Sequence, residues 1–209
     1  MAVATLQTAA VIGTGMMGPG IAVTLALGGL STRILSRSAE GAARGLVKAH
    51  EQIGVLADNG LAPPERTSRA REILSAGTDF DETIAAADLV IESAPEDMEL
   101  KQQLFARMDE LARPEAILAS NTSSISITQL GAATRRPEKV IGMHFMNPVP
   151  LMKLVEVIRG LATSDETTAT VVALAKALDK VPVEAQDYPG FISNRILCPM
   201  INEAIYALM

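Results

Sequence analysis

Cysteine, tryptophan and charged residues are scarce in this sequence of 209 residues. There is one cysteine, Cys198, so no internal disulfide is available to stabilise a small secreted scaffold. Cys198 lies among apolar residues of a predicted helix, and we expect a buried small hydrophobe there and not a nucleophile. With 48% hydrophobic and only 20% charged residues, the chain can bury a large core.

Two classes of partner are disfavoured by what is absent. No apolar run reaches the roughly 18 residues of a membrane-spanning helix. Residues 1–7 lack the basic start and apolar core of a signal peptide, so we expect a cytoplasmic protein that is not bound to a membrane. The net charge is −6 and no basic stripe is present, which argues against nucleic acid as a partner. No metal-binding residues are predicted.

A glycine-rich turn near the start of the chain is the most informative segment. The apolar residues 9–12 enter Gly13-Thr14-Gly15-Met16-Met17-Gly18, and a predicted helix follows. In such a turn Gly13 permits the tight bend, Gly15 lets the backbone approach a pyrophosphate, and Gly18 lets the helix pack near the strand. The phosphates then meet unpaired N–H groups at the positive end of the helix. The segment predicts dinucleotide binding, with Met16 and Met17 in the same turn.

Strand-like and helix-like segments alternate along the rest of the chain. Predicted strands cover residues 31–36, 89–93, 116–120, 140–144, 154–158 and 181–185. This order predicts an α/β fold of the Rossmann type, with a doubly wound, mostly parallel sheet in residues 1–188. Residues 189–209 are predicted to be the first helix of a second, all-α domain, which we expect to be present only in part.

Two helical regions carry side chains of interest. In the region 40–74 a long helix is predicted to stop at Asp58-Asn59-Gly60, and a short helix is predicted to restart at Ala62-Pro63-Pro64 and run to about Leu74. This helical excursion is longer than a minimal crossover, which makes it a candidate for ligand contact. On the helix after residue 97, an apolar face is predicted from the spacing of its large side chains, with Lys101 on the polar side. That face comprises Leu100, Leu104, Phe105, Met108 and Leu111.

One histidine and one carboxylate stand out as candidates for acid–base chemistry. His144 ends a predicted strand just before a proline-rich loop, where a histidine is often only a structural hydrogen bonder. Glu156 interrupts the apolar strand 154–158, and a buried carboxylate needs a partner. A glutamate that accepts from one imidazole nitrogen fixes the tautomer and leaves the other nitrogen to take a proton. The second histidine, His50, lies in a long surface helix and is expected to be solvated.

Four motifs in order resemble the L-3-hydroxyacyl-CoA dehydrogenase family, and the similarity is closest to its 3-hydroxybutyryl-CoA dehydrogenase-like members. Besides the glycine turn they are Ser120-Asn121-Thr122-Ser123-Ser124, His144-Phe145-Met146-Asn147-Pro148 with Met152-Lys153-Leu154-Val155-Glu156-Val157, and Pro189-Gly190-Phe191-Ile192-Ser193-Asn194-Arg195.

The resemblance implies reversible oxidation of a (3S)-3-hydroxyacyl-CoA by a nicotinamide cofactor, as in the β-oxidation of fatty acids. It implies that His144 is the general base, that Glu156 orients it, and that Ser123 and Asn194 donate hydrogen bonds around the substrate oxygen. It places Glu96, Lys101 and Asn147 near the nicotinamide half of the cofactor. It also implies a homodimer formed through the C-terminal helical domain.

The end of the second predicted strand bears on the choice between NAD and NADP. An NAD-binding unit usually has Asp or Glu there, which accepts hydrogen bonds from the adenosine ribose. This chain has Ser36 followed by Arg37 and Ser38, a set of donors that favours the 2′-phosphate of NADP. Alternatively, Arg37 is an ordinary exposed residue, and Ser36 merely replaces the usual acidic residue and so weakens NAD binding without recruiting the phosphate.

Two further functions stay open at this point. One is a dehydrogenase of a free small hydroxy acid, and the other is a dinucleotide-binding relative without catalytic activity. The first differs from a CoA enzyme in needing no surface donors for a CoA tail. Candidate donors in the helical region 40–74 are Arg44, Lys48, Arg66, Arg69 and Arg71, although a solvated helix face accounts for them equally well.

Overall fold

A single sheet of eight strands organises the computed structural model, which describes residues 6–209. The strands are β1 (Thr8–Ile12), β2 (Ser31–Leu35), β3 (Leu74–Gly77), β4 (Leu89–Glu92), β5 (Ile117–Ser120), β6 (Val140–Phe145), β7 (Leu154–Arg159) and β8 (Val181–Gln186). The helices are α1 (Gly18–Leu27), α2 (Ala39–Asp58), α3 (Pro64–Ile73), α4 (Phe80–Ala86), α5 (Met98–Leu111), α6 (Ile127–Gly131), α7 (Asp165–Ala177) and α8 (Ser193–Leu208).

The strand order β3-β2-β1-β4-β5-β6-β7-β8 is that of a doubly wound sheet. The chain moves from β1 outward to β3, returns to β4 on the other side of β1, and then continues outward. All neighbouring pairs are parallel except β6 with β7. The crevice between β1 and β4 is therefore the switch point at which such folds bind ligands. The predicted Rossmann-type fold is confirmed.

Both faces of the sheet are covered, which explains the continuous apolar character of the central strands. In β1, Ala9 and Val11 belong to one buried cluster, with side chains of α1, α2 and α7. Ala10 and Ile12 belong to a second cluster on the opposite face, with side chains of α5 and α6. The alternation follows from the two-residue period of a strand.

The antiparallel pair β6–β7 places two candidate catalytic residues opposite each other. In its register His144 faces Glu156, and their neighbours Met143 and Val157 also pair. Residues directly opposite in an antiparallel pair point to the same face, with Cβ atoms about 5 Å apart. The sheet itself therefore brings His144 and Glu156 together.

Strand β3 was absent from the sequence prediction, which extended a helix to Leu74. It has four residues, Leu-Ser-Ala-Gly, and lies at the edge of the sheet, where it pairs only with β2. A strand this short, with one large apolar side chain, has no detectable period of its own. Its strand conformation therefore depends on pairing with β2.

The exposure of four residues differs from the prediction. Lys101 is buried at 1% exposure, whereas Leu100 on the predicted apolar face of α5 is 36% exposed. Cys198 is exposed, because α8 has no buried residue within the part of the chain described. His50 is half-buried, and its Nε2 atom is buried without a hydrogen-bond partner among residues 6–209.

Helix α8 presents apolar side chains to solvent along much of its length. Ile196, Met200 and Ile201 are 64%, 59% and 48% exposed. No helix within residues 6–209 combines the length and the apolar character that crossing a bilayer requires.

Candidate active site

The glycine turn between β1 and α1 has the shape required to hold a pyrophosphate. Gly13 has φ +120°, and a Cβ atom there would lie 2.4 Å from the carbonyl oxygen of Ser93. A Cβ atom on Gly18 would lie 2.0 Å from the carbonyl oxygen of Gly13. Around Gly15 no atom lies within 4 Å of the corresponding position, so its backbone is open to a ligand. No side chain caps the first turn of α1, which leaves the positive helix end for an anion.

A cleft of about 1050 Å³ runs along the carboxyl ends of the strands from this turn. Its size matches the larger ligand sites of proteins. Its walls include Gly13–Met17, Ser36–Ser38, Phe80, Glu96, Lys101 and Ser123. The open glycine turn and the volume of the cleft fit a dinucleotide.

The residues predicted to select the cofactor lie at one end of the cleft. Ser36 follows β2 and is half-buried, and Arg37 is exposed. Ser38 precedes α2 and caps its first turn, where its side chain accepts a hydrogen bond from the Gly41 amide at 3.1 Å. No carboxylate follows β2 directly, and the nearby Glu40 is bound by Arg44.

Lys101 lies beneath the cleft in a buried ion pair that was not predicted. Its Nζ atom donates to Glu92 Oε1 at 2.5 Å and to the Ala94 carbonyl at 3.2 Å, and it lies 3.5 Å from Glu96 Oε2. Glu92 is fully buried and also accepts from the Ser120 hydroxyl at 2.6 Å. The signal that singled out Glu156, a carboxylate in an apolar strand, is present at Glu92 as well.

Glu96 shapes the turn that carries Ser123. Its Oε1 atom accepts hydrogen bonds from the Thr122 hydroxyl, from the Ser123 amide at 3.0 Å and from the Ser124 amide at 3.1 Å. Burial raises the pKa of Glu96, but the Thr122 hydroxyl, the Lys101 charge and the Ser124 and Ser123 donors lower it below its usual value overall. Glu96 is therefore an anion at neutral pH and fixes the backbone after β5.

His144 is hydrogen-bonded at both ring nitrogens. Nδ1 lies 2.7 Å from Glu156 Oε2, and Nε2 lies 3.0 Å from the Ser123 hydroxyl oxygen. A carboxylate can only accept, so Nδ1 carries the proton of the neutral ring and Nε2 presents a lone pair toward Ser123. His144 is 6% exposed and lies where β6 ends.

Glu156 is buried at 1% exposure and has four donors. Oε1 accepts from the Ile192 amide at 2.9 Å and the Ser193 amide at 2.8 Å, and Oε2 accepts from the Ser193 hydroxyl at 2.7 Å as well as from His144. Burial raises its pKa, but the bonds from His144 and from Ser193 and Ile192 outweigh burial and lower the pKa to about 2. Glu156 is charged throughout the neutral range.

The remaining predicted residues lie near Ser123 or at the glycine turn. Asn194 Nδ2 donates to the Ser123 carbonyl at 3.2 Å. Asn147 Nδ2 lies 3.6 Å from the sulfur of Met16, so the loop after β6 meets the glycine turn. Met16 is 76% exposed beside the cleft, whereas Met17 packs partly against the core. His144, Glu156, Ser123 and Asn194 thus lie together, and Ser36 and Arg37 mark the other end of the cleft.

Comparison with known proteins identifies the family. A family model described as 3-hydroxyacyl-CoA dehydrogenase, NAD binding domain, matches residues 8–188. The chain belongs to the 3-hydroxyacyl-CoA dehydrogenase family. It is therefore a nicotinamide-dependent oxidoreductase, and the predicted family and enzyme class are confirmed.

Similar members of the 3-hydroxyacyl-CoA dehydrogenase family come from several bacteria. A probable 3-hydroxybutyryl-CoA dehydrogenase of Bacillus subtilis is 48% identical over 198 residues, covering 95% of this chain and 69% of the relative. A 3-hydroxybutyryl-CoA dehydrogenase of Clostridioides difficile is 44% identical, covering 94% of this chain and 69% of the relative. The crystal structure of 3-hydroxybutyryl-CoA dehydrogenase from Escherichia coli K12 aligns with TM-score 0.93 at 42% identity, covering 98% of this chain and 43% of that one.

The glycine turn gives a paired prediction. Gly18→Ala should lower the free energy of unfolding by about 2 kcal/mol or more, because its Cβ would overlap backbone that cannot move freely. Gly15→Ala should leave unfolding unchanged and weaken cofactor binding, because its Cβ would enter the open space of the cleft. Urea unfolding and fluorescence titration with NADH and NADPH measure the two effects. Equal losses of stability in both variants would contradict this account of the turn.

Proposed function

We propose that this chain catalyses the reversible oxidation of a (3S)-3-hydroxyacyl-CoA to the 3-oxoacyl-CoA. The observation that carries the proposal is the placement of His144 between Glu156 and Ser123 beside a cleft that fits a dinucleotide. The similarity to two enzymes named for 3-hydroxybutyryl-CoA supports a short acyl chain as the substrate.

In this proposal His144 is the general base. Its Nε2 lone pair takes the proton of the C3 hydroxyl group, and the charge of Glu156 stabilises the imidazolium that forms. The Ser123 hydroxyl, 3.0 Å from Nε2, marks where the substrate oxygen is held. When bound, the nicotinamide cofactor supplies the acceptor for the hydride from C3.

Asn194 and Glu96 position the groups around that oxygen. Asn194 is held through its bond to the Ser123 carbonyl, so its amide lies next to the proposed oxygen site. Glu96 fixes the Ser123 backbone, and Lys101 anchors Glu96 from below. We propose that Glu96, Lys101 and Asn147 line the nicotinamide end of the cleft, and that Lys101 acts there through Glu96. Such fixed polar groups are effective because they need no reorganisation during the reaction.

The alternatives are less well supported. The two relatives are named for a CoA substrate, which favours a CoA thioester over a free hydroxy acid. Both acid–base side chains are present and joined, which disfavours a relative without activity. Among the candidate CoA donors, Arg44, Arg66 and Arg69 each pair with a carboxylate. Lys48 and Arg71 are exposed.

Replacing the proposed base should abolish most turnover. His144→Ala should lower kcat by about a hundredfold or more, because the general base is lost. Cofactor affinity should change little, because the cleft that holds the cofactor stays intact. The assay follows NAD(P)H absorbance with acetoacetyl-CoA and the purified protein. His50→Ala, at the other histidine, is the matched control and should retain activity. Turnover close to wild type in His144→Ala would exclude His144 from the mechanism.

We also propose that the chain prefers NADP. Ser36 and Arg37 occupy the cleft end where an acidic residue would repel a 2′-phosphate, and the exposed Arg37 guanidinium suits bidentate binding of that group.

The cofactor preference has a direct test. Ser36→Asp should shift the ratio of kcat/KM for NADPH over NADH toward NADH by about tenfold or more, because a carboxylate repels the phosphate and accepts from the ribose. Ser31→Asp, at the opposite end of β2, is the control and should leave the ratio unchanged. A wild-type preference for NADH that the Ser36 variant does not increase would refute the proposal.

We further propose that residues 1–188 and 189–209 belong to different domains, and that the second mediates a homodimer. The support is the exposed apolar side of α8, which needs a covering surface. The cytoplasmic location expected from the sequence stays a prediction.

The homodimer can be tested on α8 itself. Ile201→Glu should convert a dimer to a monomer in sedimentation equilibrium, since a charge would enter the apolar contact. Leu161→Glu, at a 91% exposed residue of the loop after β7, should not change the mass. A wild-type protein that stays monomeric at high concentration would contradict the proposal.

A further inference from the structure

The hydroxyl group of Ser193 shares an acceptor atom with the proposed catalytic base. It donates to Glu156 Oε2 at 2.7 Å, and His144 Nδ1 lies 2.7 Å from the same oxygen. We infer that Ser193 is a positioning residue, which sets how strongly Glu156 holds the proton of His144. The inference rests on the function proposed above for His144.

The segment before α8 wraps around the His144–Glu156 pair. Gly190 and Phe191 have φ +78° and +49°, which turns the chain toward β7. The Phe191 ring then packs edge-on to His144 at 6.0 Å between centroids and is itself 4% exposed. The amides of Ile192 and Ser193 follow directly and bind Glu156 Oε1. The Ser193 side chain is therefore held in place by its own backbone contacts.

The shared oxygen gives the Ser193 hydroxyl an electrostatic effect on the ring. A donor that binds a carboxylate stabilises its charge and reduces the attraction left for a second donor on the same atom. Without the hydroxyl, Oε2 would interact with His144 alone and would stabilise the imidazolium more strongly. Removing the hydroxyl should therefore make the ring take up its proton at a higher pH.

Other charged groups near the pair are engaged elsewhere or exposed. Asp187, just before the turn, accepts from the Ser126 hydroxyl at 2.6 Å and from the amides of Ile127 and Thr128. Glu96 binds the Ser123 turn, and Arg195 on α8 is exposed. On β8, Val183 is paired with Glu156, and the neighbouring Glu184 is exposed. In hydrogen-bond contact with Glu156, the only titratable group within residues 6–209 is His144.

The chain supplies a control of the same design. Ser126 and Asp187 repeat the arrangement of a serine hydroxyl and two backbone amides on one carboxylate, but without a histidine. Ser126→Ala removes an equivalent bond and leaves the His144 surroundings intact. The two histidines of the chain, His144 and His50, give separate signals in one NMR titration, and His50 serves as an internal reference.

The experiment is an NMR pH titration of both imidazole rings in four variants of the purified protein. Ser193→Ala and Ser193→Val should raise the titration midpoint of His144 by about 0.5 pH unit or more, and Ser193→Thr should restore it. Val and Thr have nearly the same shape, so they separate loss of the hydroxyl from altered packing. Ser126→Ala should move neither ring. A His144 midpoint that is the same in Ser193→Val and Ser193→Thr would overturn the inference.

Kinetics distinguish this inference from the proposed function. In Ser193→Val the acidic limb of the pH profile of kcat/KM should shift to higher pH together with the NMR midpoint. In Ser193→Thr the acidic limb should stay at its wild-type position. A shift in the NMR midpoint together with an acidic limb that does not move would overturn the role assigned to Ser193 in the reaction. A wild-type protein that turns over no 3-hydroxyacyl-CoA would instead refute the proposed function, while the NMR titration would still decide the effect of Ser193 on the ring.

Discussion

A carboxylate taken out of water must be given donors, and Glu156 obtains its donors from two distant parts of the chain. His144 reaches it across a strand pair, and the amides of Ile192 and Ser193 reach it from the segment that leads into α8. An unpaired charge at this depth would cost several kcal/mol. Three features therefore depend on one another: the pairing of β6 with β7, the turn before α8, and the orientation of the His144 ring.

The same constraint is met a second time, at the other side of the cleft. Glu92 ends β4 without exposure to solvent and is neutralised by Lys101 from α5. Lys101 in turn holds Glu96, and Glu96 holds the backbone of Ser123. The proposed substrate oxygen thus lies between two groups that are each held by a buried carboxylate. Glu156 holds His144 directly, and Glu92 holds Ser123 through Lys101 and Glu96.

Much of this arrangement could be predicted from the sequence, because its signals are local. The glycine turn has a fixed spacing, and the central strands are continuous apolar runs, so both are visible in single segments. The charge in the run around Glu156 also predicted a partner. Edge strand β3 could not be predicted, since four residues with one large apolar side chain acquire their conformation from β2. The burial of Lys101 was missed because it depends on Glu92, which lies on a different element. The exposure of Cys198 follows from the surroundings of α8, which no local pattern encodes.

The antiparallel pairing of β6 with β7 limits which sequence changes these two strands can accept during evolution. Side chains alternate between faces along a strand, so a slip of one residue in this register would move Glu156 to the opposite face from His144. The distance between His144 and Glu156 is thus set by backbone hydrogen bonds, which do not depend on the identity of the neighbouring side chains. Sequence drift in the strands can therefore proceed around the two residues without moving them apart.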